Sequence, residues 1–335
     1  MDVTTTEAAP TMRALVQTSR RGPSDLTLVD DAPRPVPAPG ELLVRVTAAG
    51  VNYADVMQTQ GTYGGGPAAP YIAGFEAAGE IVAIGEEVTA PPRVGSHVVG
   101  VGRGAFAEYM TMPAAGVLPV PDGWSDAESL GIVLNWATAL AALKLGDIRP
   151  GAVVLVHAAA GGVGQAAVRL AVHHGARVIA SAAPTKHATI RALGVEDVLD
   201  GSRADLAEEI MRRTGGVDLV LESVGRSTFA TSLSVTRRVT GRIVVFGAAS
   251  GDATLSTHDL VFDHQVHVIG LHIRALASAV PAFYQQLMAE LLSLIAQGVY
   301  PPGRPTVHGL ADGPALLRRI EDRLTSGKQA LDPWA

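Results

Sequence analysis

The chain has 335 residues, 47% of them hydrophobic and 17% charged, with a formal charge of −6 and no cysteine. That length and composition allow two well-cored domains, and the lack of cysteine excludes disulfides, a thiol nucleophile and cysteine-ligated zinc. No run of Lys or Arg exceeds a pair, so the basic stripe that nucleic acid or an anionic membrane requires is missing.

Residues 1–11 hold no basic segment followed by an apolar one and read as a frayed extension, not as a signal peptide. The longest apolar stretch, residues 132–143, is broken by Asn135 and Thr138 and falls short of the roughly 18 residues that a membrane span needs. A cytoplasmic protein with a small-molecule substrate and neither a nucleic-acid nor a membrane partner is expected.

From residue 13 the chain reads as short strands at 13–17, 26–29, 41–48, 81–84 and 97–101, separated by the Pro-rich connector 33–39 and by Gly85, Pro91, Pro92, Gly95 and Gly100. Ser125 stands three residues before Glu128, a capping-box spacing, and opens a helical pattern that Gly146 ends. From residue 151 strands and helices alternate, with strands at 153–156, 177–180, 198–199, 218–221, 242–246 and 266–273. Six strands in that alternation predict a doubly wound dinucleotide-binding sheet. An amphipathic helix 280–296, the breaker Pro301-Pro302-Gly303 and a last helix 313–324 are surplus to the sheet. The expected organisation is a discontinuous first domain, 1–136 with 275–335, around an inserted domain 137–274.

Between the first of the six strands and its helix lies Ala159-Ala160-Gly161-Gly162-Val163-Gly164, which matches G-x-G-x-x-G with Ala in the first place. Gly161 and Gly162 would let the backbone approach a pyrophosphate, and Gly164 would let the helix close on the strand. The helix N-terminus would then face the phosphate charge. An Asp or Glu at the end of the next strand would take a ribose 2′-hydroxyl, but Ser181 stands there, followed by Thr185 and Lys186. Hydroxyls and a cation without a carboxylate predict NADPH.

Four motifs occur in order: Gly50-Val51-Asn52-Tyr53-Ala54-Asp55, Gly74-Phe75-Glu76-Ala77-Ala78-Gly79, the run His157 to Gly164, and Glu222-Ser223-Val224-Gly225. Together they resemble the quinone oxidoreductase (zeta-crystallin-like) branch of the medium-chain dehydrogenase/reductase superfamily, over residues 12–331. The resemblance implies an α/β protein: a β-rich GroES-like catalytic domain built from both chain ends, a Rossmann domain between them, and assembly as a homodimer. It implies that Asn52 and Tyr63 line the nicotinamide and substrate cleft, that Thr138 lies beside the nicotinamide, and that Lys186 and Arg323 neutralise the 2′-phosphate. Ala160, Val163, Ser223 and Phe246 complete the expected cofactor-binding set with Gly161, Gly162, Gly164 and Ser181.

The chain departs from the family at Val56-Met57-Gln58, where a Tyr is often found, and at Gly201, where another Tyr often neighbours the phosphate. The zinc alcohol dehydrogenases of the superfamily need a Cys in place of Asn52, a His in place of Phe75 and four Cys for a second zinc, so no metal is expected. His157, His173, His174, His264, His267 and His272 read as packing or surface residues.

The expected activity is zinc-independent transfer of hydride from NADPH to a quinone. The phenolate-like product, with a pKa of about 10, takes its proton from solvent. An enone or enoyl thioester would leave a more basic enolate, for which Tyr63 or Tyr53 would serve as donor. The alternatives are therefore an enone or enoyl reductase and, in another class, a non-enzymatic binding or structural protein on the reductase fold.

Overall fold

A computed structural model describes residues 10–64 and 66–335, so most of the expected N-terminal extension lies outside the described residues. The chain divides into two units, the first running to residue 133 and resuming at 302–335, the second spanning 134–301.

The first unit opens with strands β1 (Thr11–Gln17) and β2 (Leu26–Pro33), which pair antiparallel. The long strand β3 (Glu41–Val51) leads into helix α1 (Tyr53–Thr59). Strands β4 (Tyr71–Ile72), β5 (Glu76–Ile84), β6 (His97–Val101), β7 (Tyr109–Pro113) and β8 (Leu118–Pro119) follow. β3 is the centre of this unit, with β5 along its length and β7 against its first half. Helix α2 (Asp126–Ser129) starts as its spacing predicts: the Ser125 amide donates to the Glu128 carboxylate at 2.8 Å and the Glu128 amide donates to Ser125 Oγ at 3.3 Å.

A π-helical turn, Ile132–Trp136, carries the chain from the first unit into the second and runs into α3 (Ala137–Leu145). Then β9 (Val153–Val156), α4 (Gly162–His173), β10 (Arg177–Ala182), α5 (His187–Arg191), β11 (Val198–Asp200), α6 (Leu206–Thr214), β12 (Leu219–Glu222), α7 (Phe229–Val235), β13 (Arg242–Val245) and β14 (His267–Gly270) alternate. The six strands form one parallel sheet in the order β11-β10-β9-β12-β13-β14, the doubly wound arrangement. Strand β14 is shorter than expected: it stops at Gly270, and Ile273 starts α8 (Ile273–Ala279) because His272 Nδ1 caps that helix by accepting the Ala275 amide at 3.2 Å.

Helix α9 (Pro281–Ala296) corrects the expected domain boundary at residue 275. Its residues Leu287, Met288, Leu291 and Leu294 are buried, the helix packs against α3 and α8, and Glu290 pairs with Lys144 of α3 at 2.7 Å. Tyr300 then stacks on Trp136 with ring centroids 3.6 Å apart. The chain re-enters the first unit only at residue 302. There β15 (Thr306–Gly309) and β16 (Gln329–Asp332) extend the sheet, β16 pairing antiparallel with the end of β3. Between them α10 (Gly313–Glu321) buries Leu316, Leu317 and Ile320 against Leu15, Leu42 and Val44. Each such side chain contributes about 1.5–3 kcal/mol.

Candidate functional site

In the second unit the turn after β9 begins at Ala158, which takes a left-handed conformation at φ 49°. Gly161 caps α4, and the helix runs from Gly162. A Cβ on Gly164 would stand 2.4 Å from the Ala158 carbonyl oxygen and 2.7 Å from Ala159 Cα, so only glycine lets α4 close on the turn. Gly161 differs. A Cβ there would meet nothing nearer than the Ala158 oxygen at 3.3 Å, and the residue is exposed. A Cβ at 161 thus makes one tight contact that a shift of a few tenths of an ångström relieves, far less than the collision at 164, whereas a ligand approaching the first amides of α4 would need the space that glycine leaves.

Ala160, Val163, Ser223 and Phe246 lie along the same C-terminal edge of the sheet, Ser223 directly after β12 and Phe246 directly after β13. The strand order reverses between β9 and β12, which is where doubly wound sheets bind ligands. Lys186 is half-buried and ends the turn after β10.

Ser181 is a correction. It is 2% exposed, and its Oγ lies 2.8 Å from His157 Nδ1, so its hydroxyl faces into the protein and not toward a 2′-phosphate. A second correction concerns charge. Asp200 ends β11 directly opposite Ala182, and bonds from the amide and hydroxyl of Ser202 hold its carboxyl below the usual range. This corner thus carries a carboxylate that the loop after β10 alone does not reveal. Arg203, the nearest following cation in the chain, is paired with Asp205 at 2.6 Å.

Glu222 belongs to the fourth motif but has no role among the expected site residues. It is fully buried, and its carboxylate accepts the amides of Val224 and Gly225 at 2.8 and 3.0 Å and the hydroxyls of Thr228 and Ser232 at 2.8 and 2.6 Å. The signal in the sequence is a carboxylate at a strand end followed by Thr228 and Ser232. Thr138 also belongs to this unit, buried in the first turn of α3.

In the first unit Asn52 precedes α1 and donates its backbone amide to Asp55 at 2.7 Å. Burial pushes the Asp55 carboxyl up to about 8, against the opposing pull of the Asn52 bond and of Lys328. The Asn52 side chain is held on both sides: Nδ2 donates to Glu76 Oε2 at 2.9 Å and Oδ1 accepts from Lys328 Nζ at 2.8 Å. Lys328 Nζ also donates to Glu76 Oε2, whose partner oxygen accepts the Gly131 amide at 2.6 Å. The ring of Tyr63 stacks on Phe75 with centroids 6.4 Å apart. Asn52 and Tyr63 thus share one region of this unit through the adjacent residues Glu76 and Phe75. Arg323 lies in the same unit, exposed just beyond α10 at φ 60°.

Residues 162–293 match the family described as zinc-binding dehydrogenase, and residues 38–122 match the alcohol dehydrogenase GroES-like domain. The chain is 31% identical over 345 residues to the synaptic vesicle membrane protein VAT-1 homolog of Rattus norvegicus, covering 97% of this chain and 85% of that protein. Among solved structures it is similar to Escherichia coli quinone oxidoreductase complexed with NADPH, at 28% identity and a TM-score of 0.89 over 96% of this chain and 100% of that one. It is also similar to the CurK enoyl reductase, at 29% identity and a TM-score of 0.86 over 96% of this chain and 99% of that one.

The description of the first family names zinc, and the residues present do not fit it. Asn52 Oδ1 and the Glu76 carboxylate already hold the Lys328 ammonium, and Phe75 offers a ring. Among the described residues no group of three or more His, Asp or Glu could hold a metal ion, and no single helix is long and apolar enough to cross a membrane.

Proposed function

The chain belongs to the quinone oxidoreductase (zeta-crystallin-like) branch of the medium-chain dehydrogenase/reductase superfamily, and from that membership we propose that it is an NADPH-dependent oxidoreductase that reduces a quinone. The observation that carries the reading is the contrast in the glycine turn, where Gly164 is required by the fold while Gly161 is exposed and a Cβ on it would meet only the Ala158 oxygen, at 3.3 Å. Bound there, NADPH would supply the hydride.

The first amides of α4 would bind the pyrophosphate, and Lys186 would pair with the 2′-phosphate. Tyr63, backed by Phe75, offers a flat wall to a planar acceptor. Asn52 acts as a positioning residue, because both ends of its amide are held by Glu76 and Lys328. Its task is to hold the entrance of α1 beside Phe75 and Glu76. A quinone asks no more of these residues, since its reduced anion is protonated by water.

Similarity to an enoyl reductase favours a second reading, in which an enoyl thioester is reduced and Tyr53 or Tyr63 supplies the proton. Burial raises the Tyr53 phenol further above its ordinary value, so it would hold its proton at neutral pH.

The test measures NADPH and NADH affinity first, then turnover with a benzoquinone and with an enoyl thioester. NADPH is expected to bind more tightly, and Lys186→Ala is expected to weaken it roughly 10- to 150-fold while leaving NADH nearly unchanged. Faster turnover of the enoyl thioester than of the quinone would give the second reading. NADPH binding with no turnover of either would leave a binding protein on this fold.

The edge of the second unit also supports a homodimer. Strand β14 ends the sheet, Val268 on it is 36% exposed, and Phe262 in the turn before it is 67% exposed. An unpaired apolar edge of this kind is a template for pairing with a second copy. Sedimentation at micromolar concentration is expected to show a dimer that Val268→Lys weakens, and a wild-type monomer would refute it.

A further inference from the structure

Three strand ends of the second unit meet beneath the loops assigned to the cofactor. His157 follows β9 directly, Ser181 stands near the end of β10 and Glu222 ends β12, and all three are at most 2% exposed. His157 Nδ1 is 2.8 Å from Ser181 Oγ. Its Nε2 has no hydrogen-bond partner and lies 3.9 Å from Glu222 Oε2. The backbone repeats the tie: the His157 amide donates to Leu221 O at 3.2 Å and the Ala159 amide donates to Ser181 O at 3.1 Å.

A fully buried histidine with one nitrogen left over is an unfavourable element in a sheet core, where an apolar residue would leave no polar atom unmet. Burial lowers its basicity, the Glu222 charge opposing this, so the ring is neutral and carries one N–H. When Nδ1 accepts the Ser181 hydroxyl, that N–H is on Nε2 and points its dipole at the Glu222 carboxylate. In that tautomer Ser181 has its acceptor and Glu222 faces the N–H dipole across 3.9 Å, so the imidazole spans the gap between β10 and β12.

Each member stands at or within one residue of the strand end that leads into a loop of the candidate site. The glycine turn follows His157, the Lys186 turn follows Ser181, and the Ser223-Val224-Gly225 turn follows Glu222 and is held by its carboxylate. We infer that His157, Ser181 and Glu222 form a buried positioning network that sets these three loops in register for the dinucleotide. The inference rests on the dinucleotide reading above and assigns to Ser181 a task inside the protein in place of the phosphate contact expected from its position. Small errors in such placement reduce binding, because amides that must converge on one ligand do so only if their loops are fixed beforehand.

The test uses the double variant His157→Leu/Ser181→Ala, which removes both polar partners together and so leaves no hydroxyl stranded. Replacing both partners by apolar groups is close to neutral for stability. The unfolding midpoint is therefore expected to stay at the wild-type value, while NADPH binds about five- to tenfold more weakly. His157→Asn, whose amide can occupy the place of Nδ1, is expected to restore affinity to within about twofold of wild type. Wild-type NADPH affinity in the double variant, or a loss of affinity that only follows a loss of stability, would overturn the inference. Amide hydrogen exchange gives a readout that needs no cofactor. Ala159, Val224 and Gly225 are expected to exchange faster in the double variant, and unchanged exchange at all three overturns the network even if the wild type binds no dinucleotide.

Discussion

A Gly161→Val chain is expected to fold as the wild type does and to bind NADPH roughly 100-fold more weakly, or not at all. A first side-chain carbon there would lie 3.3 Å from the Ala158 oxygen, its nearest neighbour, a tight contact that a shift of a few tenths of an ångström relieves. The same carbon would project over the first amides of α4, where the pyrophosphate must come close. Forcing side-chain atoms into an occupied interface costs about 1–3 kcal/mol, which is about 5- to 150-fold in a dissociation constant, and the lost amide contacts add to it. Gly164→Val provides the contrast. Its Cβ would collide with backbone at 2.4 Å, so that variant should lose the second unit's stability and its binding together. Calorimetric unfolding and fluorescence titration with NADPH on both variants separate the two effects. Equal NADPH affinity in Gly161→Val and wild type would remove the turn from the binding site.

The six strands of the second unit were legible because each is a run of apolar β-formers bounded by loop residues, and a sheet buried on both faces needs no more than that. The same burial hid the direction of Ser181. Val178 to Ala182 are all buried, so the strand shows no polar alternation from which to read the phase of its side chains, and the serine was assigned outward by position alone. Strands β15 and β16 escaped for the opposite reason. They are four residues each, of mixed polarity, and β16 is made a strand by pairing with residues 49–51 of β3. Nothing local marks them. The boundary at residue 275 was misplaced because the amphipathic stripe of α9 tells that it packs but not on which unit. The motifs brought Asn52 and Phe75 to notice, yet Lys328, which meets Asn52 from 276 positions along the chain, could not be paired with it before the fold was known.

That late lysine carries the second large expectation. Lys328→Met should destabilise the first unit by about 3–5 kcal/mol, the usual cost of stripping the partner from a buried charge. Glu76 is fully buried, and without the ammonium its carboxylate would keep the Gly131 amide and the Asn52 side-chain amide as its hydrogen-bond donors. Two neutral dipoles do not replace a cation in a low-dielectric interior. The pair as a whole contributes far less than this figure, because burying both ions carries its own desolvation cost. The double variant Glu76→Gln/Lys328→Met is therefore expected to recover most of the loss. In that variant no ion remains in the buried site, and the glutamine carbonyl can still accept the Gly131 amide. Glu76→Gln alone should lie between, since it leaves the Lys328 ammonium, 11% exposed, with Asn52 and a small opening to water. Urea unfolding followed through the emission of Trp334, whose indole N–H donates to the Val46 carbonyl in this unit at 2.7 Å, reports the transition. A cost below about 1 kcal/mol for Lys328→Met would place the ion pair among weakly contributing surface contacts, and a double variant no more stable than Lys328→Met would show that the methionine fails for want of space and not for want of charge.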